Sequence, residues 1–232
     1  MLSTMTSLLA RSLAALLLIV ATQPAHAEIV LSQVIVDLQP DKADYQDVEI
    51  WNAGGELVYV QVEPSEILDP GRPEERRERI TDPERGGLLV SPQRLVLEPD
   101  ERRVIRFAAL AERGMRERVY RVAVRPVAAP DAMGASGLKV LLGYDMLILF
   151  RPERLSGEVT ALRHADRIEF TNNSNFAQEI YDARQCDLKG DTCVTLPATR
   201  LYPGASWSMP LTYQTPVDLM ISAGSKPVRK SL

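Results

Sequence analysis

The chain has 232 residues, and its 27 basic and 31 acidic side chains give a net charge of −4 at pH 7. This mildly acidic balance gives no support for binding to nucleic acid or to another polyanion. With 16 prolines and 13 glycines and hardly any helical periodicity, the composition favours an all-β protein over a helical one.

The first 27 residues have the features of a secretory signal peptide. Arg11 precedes the apolar run 13–21, and Ala25-His26-Ala27 matches a cleavage site with small residues. This run is too short to span a membrane, and no other run approaches the roughly 20 apolar residues that spanning needs. We therefore expect residues 1–27 to be removed on export and the mature chain to have no stable membrane insertion.

Short apolar and β-branched segments recur between residues 29 and 150, and turn-forming residues separate them. Strands at such spacing are typical of a β-sandwich. The predicted strands are 29–38, 48–51, 57–62, 88–97, 104–107, 119–127 and 138–150. Between two of them, residues 70–87 carry a run of mixed charges, which predicts a solvated loop, with a partner-binding surface as the alternative.

The predicted strand 138–150 is more than twice as long as the usual five to six residues. It follows the small-residue segment 128–137, and its period-two alternation places Leu138, Val140 and Leu142 on one face. One interpretation is a central strand that is buried on both sides. The other is a strand that extends beyond its own sheet and offers the excess to a partner.

The strand pattern resumes after Arg151-Pro152-Glu153, where the proline ends a central strand. We therefore expect two domains, an N-terminal one over residues 28–152 and a smaller one over residues 153–232. The predicted strands of the second domain are 167–171, 178–184, 194–197, 206–211 and 217–222.

The residue types that carry catalysis or bind metals are scarce. Cys186 and Cys193 are close enough in sequence to form a structural disulfide in an exported protein, and their spacing fits neither a CxxC redox motif nor a zinc site. His164 is the one histidine of the mature chain, and its polar surroundings indicate an exposed turn. We expect no enzyme activity, no cofactor and no bound metal.

Three stretches of the sequence resemble, in this order, the periplasmic pilus-assembly chaperones of the chaperone–usher pathway. They are residues 91–106, 117–122 and 149–152. The resemblance to a divergent branch of this family implies two immunoglobulin-like β-sandwich domains set at an angle, a periplasmic location, and pilin subunits and an outer-membrane usher as partners. A secreted adhesin or a structural pilus subunit is the alternative.

The resemblance also implies a mechanism, because such chaperones lend a pilin the strand before the domain junction. On this basis Leu138, Val140 and Leu142 would fill the pilin groove, and each side chain that becomes fully buried contributes about 1.5–3 kcal/mol.

The resemblance further implies a charge pair near the domain junction. Glu117 and Arg151 match this pair, and in the family its third member is an acid of the second domain, for which Asp218 is the nearest candidate here. An ordinary surface ion pair is the alternative.

A departure concerns the basic residues that hold the pilin's terminal carboxylate in the best-known members. The corresponding neighbourhoods are residues 35–37 and Leu147, which are not basic. Because a carboxylate in a dry cleft needs charged donors, we considered the arginines that share the face of Glu117 at period two. Arg121 is the first candidate anchor and Arg125 the second, with two solvent-facing arginines as the alternative.

Overall fold

A computed structural model describes residues 29–128, 141–223 and 226–232. Apart from one short helix, the regular structure of these residues is β-strand, arranged in four sheets. The prediction of an all-β protein built from two β-sandwiches is therefore confirmed.

The first two sheets lie between residues 29 and 150. One has the strand order β1-β3-β8-β6, and the other has the order β2-β10-β9-β4-β5, with β7 also paired to β4. The strands are β1 (Ile29–Leu31), β2 (Ile35–Leu38), β3 (Tyr45–Asn52), β4 (Val58–Leu68), β5 (Arg76–Arg79), β6 (Leu88–Ser91), β7 (Arg94–Leu97), β8 (Arg102–Ala109), β9 (Arg118–Val127) and β10 (Tyr144–Phe150).

Two of the predicted strands are each divided in the structure. Segment 29–38 forms β1 and β2, and segment 88–97 forms β6 and β7, and in both cases the two parts belong to different sheets. The second break lies at Pro92, which has no N–H to donate to a ladder and so ends the pairing. Each division carries the chain from one layer of the sandwich to the other.

The segment 70–87 is more ordered than the predicted loop. It contains β5, whose four residues are all exposed, and the helix α1 (Pro83–Gly86). The side chain of Asp82 accepts hydrogen bonds from the backbone N–H groups of Glu84 and Arg85, which satisfies donors that a helix start leaves free. The solvated character was predicted correctly, but the strand pairing was not.

Two further sheets lie beyond residue 158. They have the orders β11-β12-β16 and β14-β13-β17-β18, with β15 also paired to β13. The strands are β11 (Val159–Arg163), β12 (Arg167–Asn172), β13 (Gln178–Cys186), β14 (Cys193–Thr195), β15 (Thr199–Leu201), β16 (Ser206–Pro210), β17 (Val217–Ala223) and β18 (Lys226–Ser231). Strands β11, β15 and β18 were not predicted from the sequence.

The predicted disulfide is confirmed. Cys186 and Cys193 are bonded with an S–S distance of 2.04 Å, and they face each other across the β13–β14 pair. The bond therefore closes a small loop at one end of a sheet.

Separate apolar cores fill the two pairs of sheets. The first core is built from the inward-facing residues of β1 to β4 and β6 to β10, and it includes Phe107, Tyr120 and Phe150. The second is built from β11 to β17 and includes Phe170 and Ile180.

A third, smaller apolar cluster joins the two parts of the chain. Ile67, Val119, Leu147 and Leu149 on the outer face of the β10-β9-β4 sheet pack with Ala177, and Tyr202 contacts the same cluster. One end of this outer face is thus covered by the second half of the chain, and none of the described residues buries Arg79 and Arg125 at the other end.

Candidate functional site

Arg151 occupies a buried position where β10 ends. Its Nη1 donates to Glu117 Oε2 at 2.5 Å, and its Nε and Nη2 donate to the two carboxylate oxygens of Asp37 at 2.7 and 2.8 Å. Arg151 is 5% exposed, and the side chain of Glu117 is fully buried. Strands β2, β9 and β10 bring these residues together, because β10 lies between the other two.

The second half of the chain enters this arrangement through the backbone of Ala177. The carboxylate oxygens of Glu117 accept from the Ala177 N–H at 3.1 and 3.2 Å, and Arg151 Nη1 donates to the Ala177 carbonyl oxygen at 2.8 Å. Both backbone groups of one residue are therefore held by the ion pair. We call Asp37, Glu117, Arg151 and Ala177 the junction cluster.

The third charged member of the cluster is Asp37, not Asp218. Asp218 lies on β17, where its neighbours across the sheet are Arg184 and Ser231. The sequence did contain a signal for Asp37, because it is the one charged residue in the strand segment Ile-Val-Asp-Leu. Alternation turns its side chain away from the core that buries Val36 and Leu38.

Burial and charge act against each other in the junction cluster. Burial raises the pKa of Glu117 to about 6, although Arg151 and the Ala177 N–H partly oppose the shift. Burial alone would lower the pKa of Arg151, but its hydrogen bonds and charge interactions with Asp37 and Glu117 raise it overall. Arg151 therefore stays charged, while the pKa of Glu117 lies above that of an ordinary glutamate.

A cavity of about 390 Å³ lies beside the cluster, between the outer face of the first sandwich and strand β15. We call it the cleft cavity. Ile35 and Leu147, which are paired between β2 and β10, form an apolar part of its lining. These are the neighbourhoods where the resemblance would place basic residues, and here the basic residues of the cavity are Arg121 and Arg200.

Arg121 and Arg200 enter the cleft cavity from opposite sides. Arg121 lies on β9, and its Nη1 donates to the Asp145 carbonyl oxygen at 3.2 Å. Arg200 lies on β15, and its Nη2 donates to Glu179 at 2.6 Å. Its Nη1 is buried and has no hydrogen-bond partner among the described residues. Tyr202, also in the lining, has its pKa raised by burial.

Arg125 lies outside the cleft cavity. It forms an ion pair with Glu63, and it lines a second cavity of about 350 Å³ together with Leu141 and Gly143. Of the two candidate anchors, only Arg121 shares a cavity with an arginine of the second half of the chain.

Within the described residues, the predicted long strand forms β10 over Tyr144–Phe150. Leu138 and Val140 lie outside the described residues, and Leu142 precedes β10 with 58% of its surface exposed. The prediction that residues 141–143 belong to the strand is wrong, because they have no strand pairing.

Strand β10 has an open edge next to this segment. Its parallel pairing with β2 begins at Leu147, whose N–H donates to the Val34 carbonyl oxygen. Asp145 has no strand partner on that side among the described residues. Because N–H groups alternate along a strand, the N–H of Asp145 points toward the same edge as that of Leu147. The N–H of Asp145 is therefore available to an added strand, while its carbonyl oxygen accepts from Arg121.

Arg200 and Glu179 were missed by the sequence analysis. Glu179 lies on a predicted strand but has no motif around it, and Arg200 lies on β15, a strand of three residues that the sequence did not reveal. Their place in the cavity depends on how the two halves meet, and alternation within one strand carries no information about that.

The described residues contain no group of three or more His, Cys, Asp or Glu side chains that could hold a metal ion. They also contain no helix long and apolar enough to cross a membrane.

No family model matches the sequence. An Escherichia coli protein named as the A subunit of CFA/I fimbriae is 26% identical over 201 residues, which cover 82% of this chain and 83% of that protein. That name describes a fimbrial component, whereas the similar solved structures are named as chaperones.

Three of these structures illustrate the similarity. The class 5 fimbriae chaperone CfaA is 23% identical, with a TM-score of 0.62 over 88% of this chain and 98% of its own. The Escherichia coli chaperone DraB is 15% identical, with a TM-score of 0.61 and the same coverage. The Salmonella enterica complex of the SafA pilin with the SafB chaperone contains a chain that is 15% identical, with a TM-score of 0.60 over 91% of this chain and 99% of that one. The fold predicted from the resemblance is therefore confirmed: this chain has the two-domain β-sandwich fold of the fimbrial chaperones of the chaperone–usher pathway.

Proposed function

We propose that the chain is a periplasmic chaperone that binds fimbrial subunits by donor-strand complementation and delivers them to an outer-membrane usher. Residues 1–27 would direct export, residues 28–152 would form the domain that carries the donor strand, and residues 153–232 would form the smaller second domain. The proposed activity is binding, without catalysis.

The observation that carries this proposal is the open edge of β10. The edge begins at Asp145, beside the exposed Leu142, and the sequence continues there into the apolar positions Val140 and Leu138. A subunit that lacks one strand could pair its backbone with this segment and bury the alternate side chains. The same pairing would cover the subunit's own sheet edge, which otherwise favours aggregation.

The cleft cavity supplies the proposed second contact, with the subunit's terminal carboxylate. Arg121 is the anchor predicted from the sequence, and Arg200 adds a buried guanidinium nitrogen that lacks a partner within the described part of the chain. Two guanidiniums can bind one carboxylate through charge-assisted hydrogen bonds. Arg125 would not take part, because it lies outside this cavity.

Two domains argue against the alternative of a structural subunit. A subunit is expected to be a single incomplete domain, whereas this chain matches 98% of the length of chaperone CfaA. An adhesin finds no specific support in the cavities described above.

The test is co-expression in a bacterial periplasm with the fimbrial subunit encoded beside this chain, followed by purification through a tag on this chain. We expect a soluble one-to-one complex with a subunit that is insoluble on its own. Replacing Leu138, Val140 and Leu142 by Asp should abolish capture and leave the fold intact. The control is Leu162→Asp, because Leu162 on β11 is 61% exposed, which is similar to the 58% of Leu142. Capture that survives the triple substitution would overturn the proposal.

A second set of variants tests the anchor. Arg121→Ala and Arg200→Ala should each weaken capture at least tenfold, and Arg125→Ala should weaken it much less. Extending the subunit's C-terminus by a few residues should reproduce the loss. If Arg125→Ala had the largest effect, the anchor would lie in the second cavity instead.

A further inference from the structure

The open end of the outer face of the β10-β9-β4-β5 sheet carries four arginines. Arg121 and Arg125 lie on β9, and Arg77 and Arg79 lie on β5. We call these four residues the arginine face. The apolar cluster with Ala177 covers the other end of the same outer face, so the arginines continue directly from the cleft cavity toward the start of β10.

Two carboxylates on this face each contact two of the arginines. Glu63 pairs with Arg79 at 2.7 Å and also with Arg125. Asp145 pairs with Arg77 at 2.9 Å, and its carboxylate lies 4.0 Å from Arg121 Nε. Four guanidiniums against two carboxylates leave a local charge of +2, in a chain whose net charge is −4.

At Glu63, the two arginines are more accessible than the carboxylate between them. The side chains of Arg79 and Arg125 are 64% and 54% exposed, whereas that of Glu63 is 18% exposed. Arg79 and Arg125 both reach Glu63 through Nη2, and each guanidinium has five N–H donors. Donors in a planar fork therefore remain available to carboxylates of a partner.

We infer that the arginine face binds aspartate or glutamate side chains on the surface of the captured subunit, and that it selects acidic subunits and speeds their association. This inference rests on the proposed function. Charge complementarity outside a buried core acts mainly on the association rate and on the choice of partner. Arg121 is shared with the cleft cavity, but Arg77, Arg79 and Arg125 lie outside its lining, so the contact they make is distinct from the one with the terminal carboxylate.

The experiment measures the association rate between this chain and the denatured subunit encoded beside it, after rapid dilution of the subunit at low and at physiological ionic strength. Replacing Arg77, Arg79 and Arg125 together by Gln should lower the rate about tenfold at low salt and remove most of its salt dependence. The same three positions changed to Lys should keep most of the rate, since the charge remains.

The matched control is the double variant Arg102→Gln and Arg106→Gln. These arginines lie on β8 in the other sheet, pair with Glu49 and Asp47, and are similarly exposed at 58% and 54%. Their removal should leave the rate within about twofold. A triple Gln variant that associates as fast as the unchanged chain would overturn this inference and leave the proposed function standing. Absence of capture by the unchanged chain would overturn both.

Discussion

Arg151 and Arg125 both pair with carboxylates on the same sheet, yet they differ in burial. Arg151 is 5% exposed and is held by Asp37, Glu117 and the Ala177 backbone. The side chain of Arg125 is 54% exposed and pairs with Glu63. Removing a charge from water costs several kcal/mol unless the charge is fully paired, whereas an exposed ion pair changes stability little. The buried arginine fixes the path of the chain, and the exposed arginine can exchange partners.

The largest expected effect comes from removing the buried arginine, Arg151. Arg151→Ala leaves the carboxylates of Glu117 and Asp37 without their cation and should lower the free energy of unfolding by about 3–5 kcal/mol. Urea unfolding followed by circular dichroism measures the change. A loss of less than about 1 kcal/mol would mean that solvent readily enters the junction cluster.

The pH dependence of the free energy of unfolding tests the buried carboxylate of Glu117. Its pKa is raised by burial from the ordinary 4.5 to about 6, so the folded chain binds this proton more tightly than the unfolded chain. Lowering the pH from 7 to 5 should therefore increase the contribution of Glu117 to stability, by about 1 kcal/mol. In Glu117→Gln this increase should be absent.

The measurement for Glu117 is the difference in the free energy of unfolding between pH 5 and pH 7, for the unchanged chain and for the variant. Glu49→Gln is the control, because Glu49 pairs with Arg102 on an exposed strand surface. A pH dependence that is identical in the unchanged chain and in Glu117→Gln would show that this carboxylate titrates as a solvated group.

The smallest expected effect comes from removing the exposed arginine, Arg125. Arg125→Ala should change the free energy of unfolding by less than about 1 kcal/mol, and the change should shrink in high salt. Chemical denaturation at two ionic strengths provides the values. If this variant were as unstable as Arg151→Ala, Arg125 would be a structural residue and the arginine face would lose one of its members.

Period-two alternation was sufficient to predict the fold class and most of the strands. The inward positions of β9 that it indicates, such as Tyr120 and Val122, are completely buried. It failed for β5 and β18, because residues such as Arg76 and Lys226 have little intrinsic preference for strands. These two strands exist through pairing with β4 and β17, which is a property of the tertiary structure rather than of the segment.

The candidate site was predictable only where it lies within one half of the chain. Glu117, Arg151 and Arg121 all belong to the first sandwich or its end. Glu117 and Arg151 were selected through the resemblance to the chaperone family, and Arg121 because it shares a face with Glu117. Asp218 was the wrong third partner because the sequence does not reveal that β2 pairs with β10, which brings Asp37 to Arg151. Arg200, on the other side of the cleft cavity, was not found because nothing in the sequence states which strands of the two halves meet.

The contact at Ala177 has a consequence for how this protein can change over evolutionary time. Glu117 and Arg151 bind the peptide N–H and C=O of residue 177 and not its side chain, so the attachment does not depend on a particular amino-acid type there. Because Ala177 is only 3% exposed and packs in the third apolar cluster, the residue there must be small and apolar. The second half of the chain could therefore accumulate substitutions away from this cluster while the backbone attachment to Glu117 and Arg151 is retained.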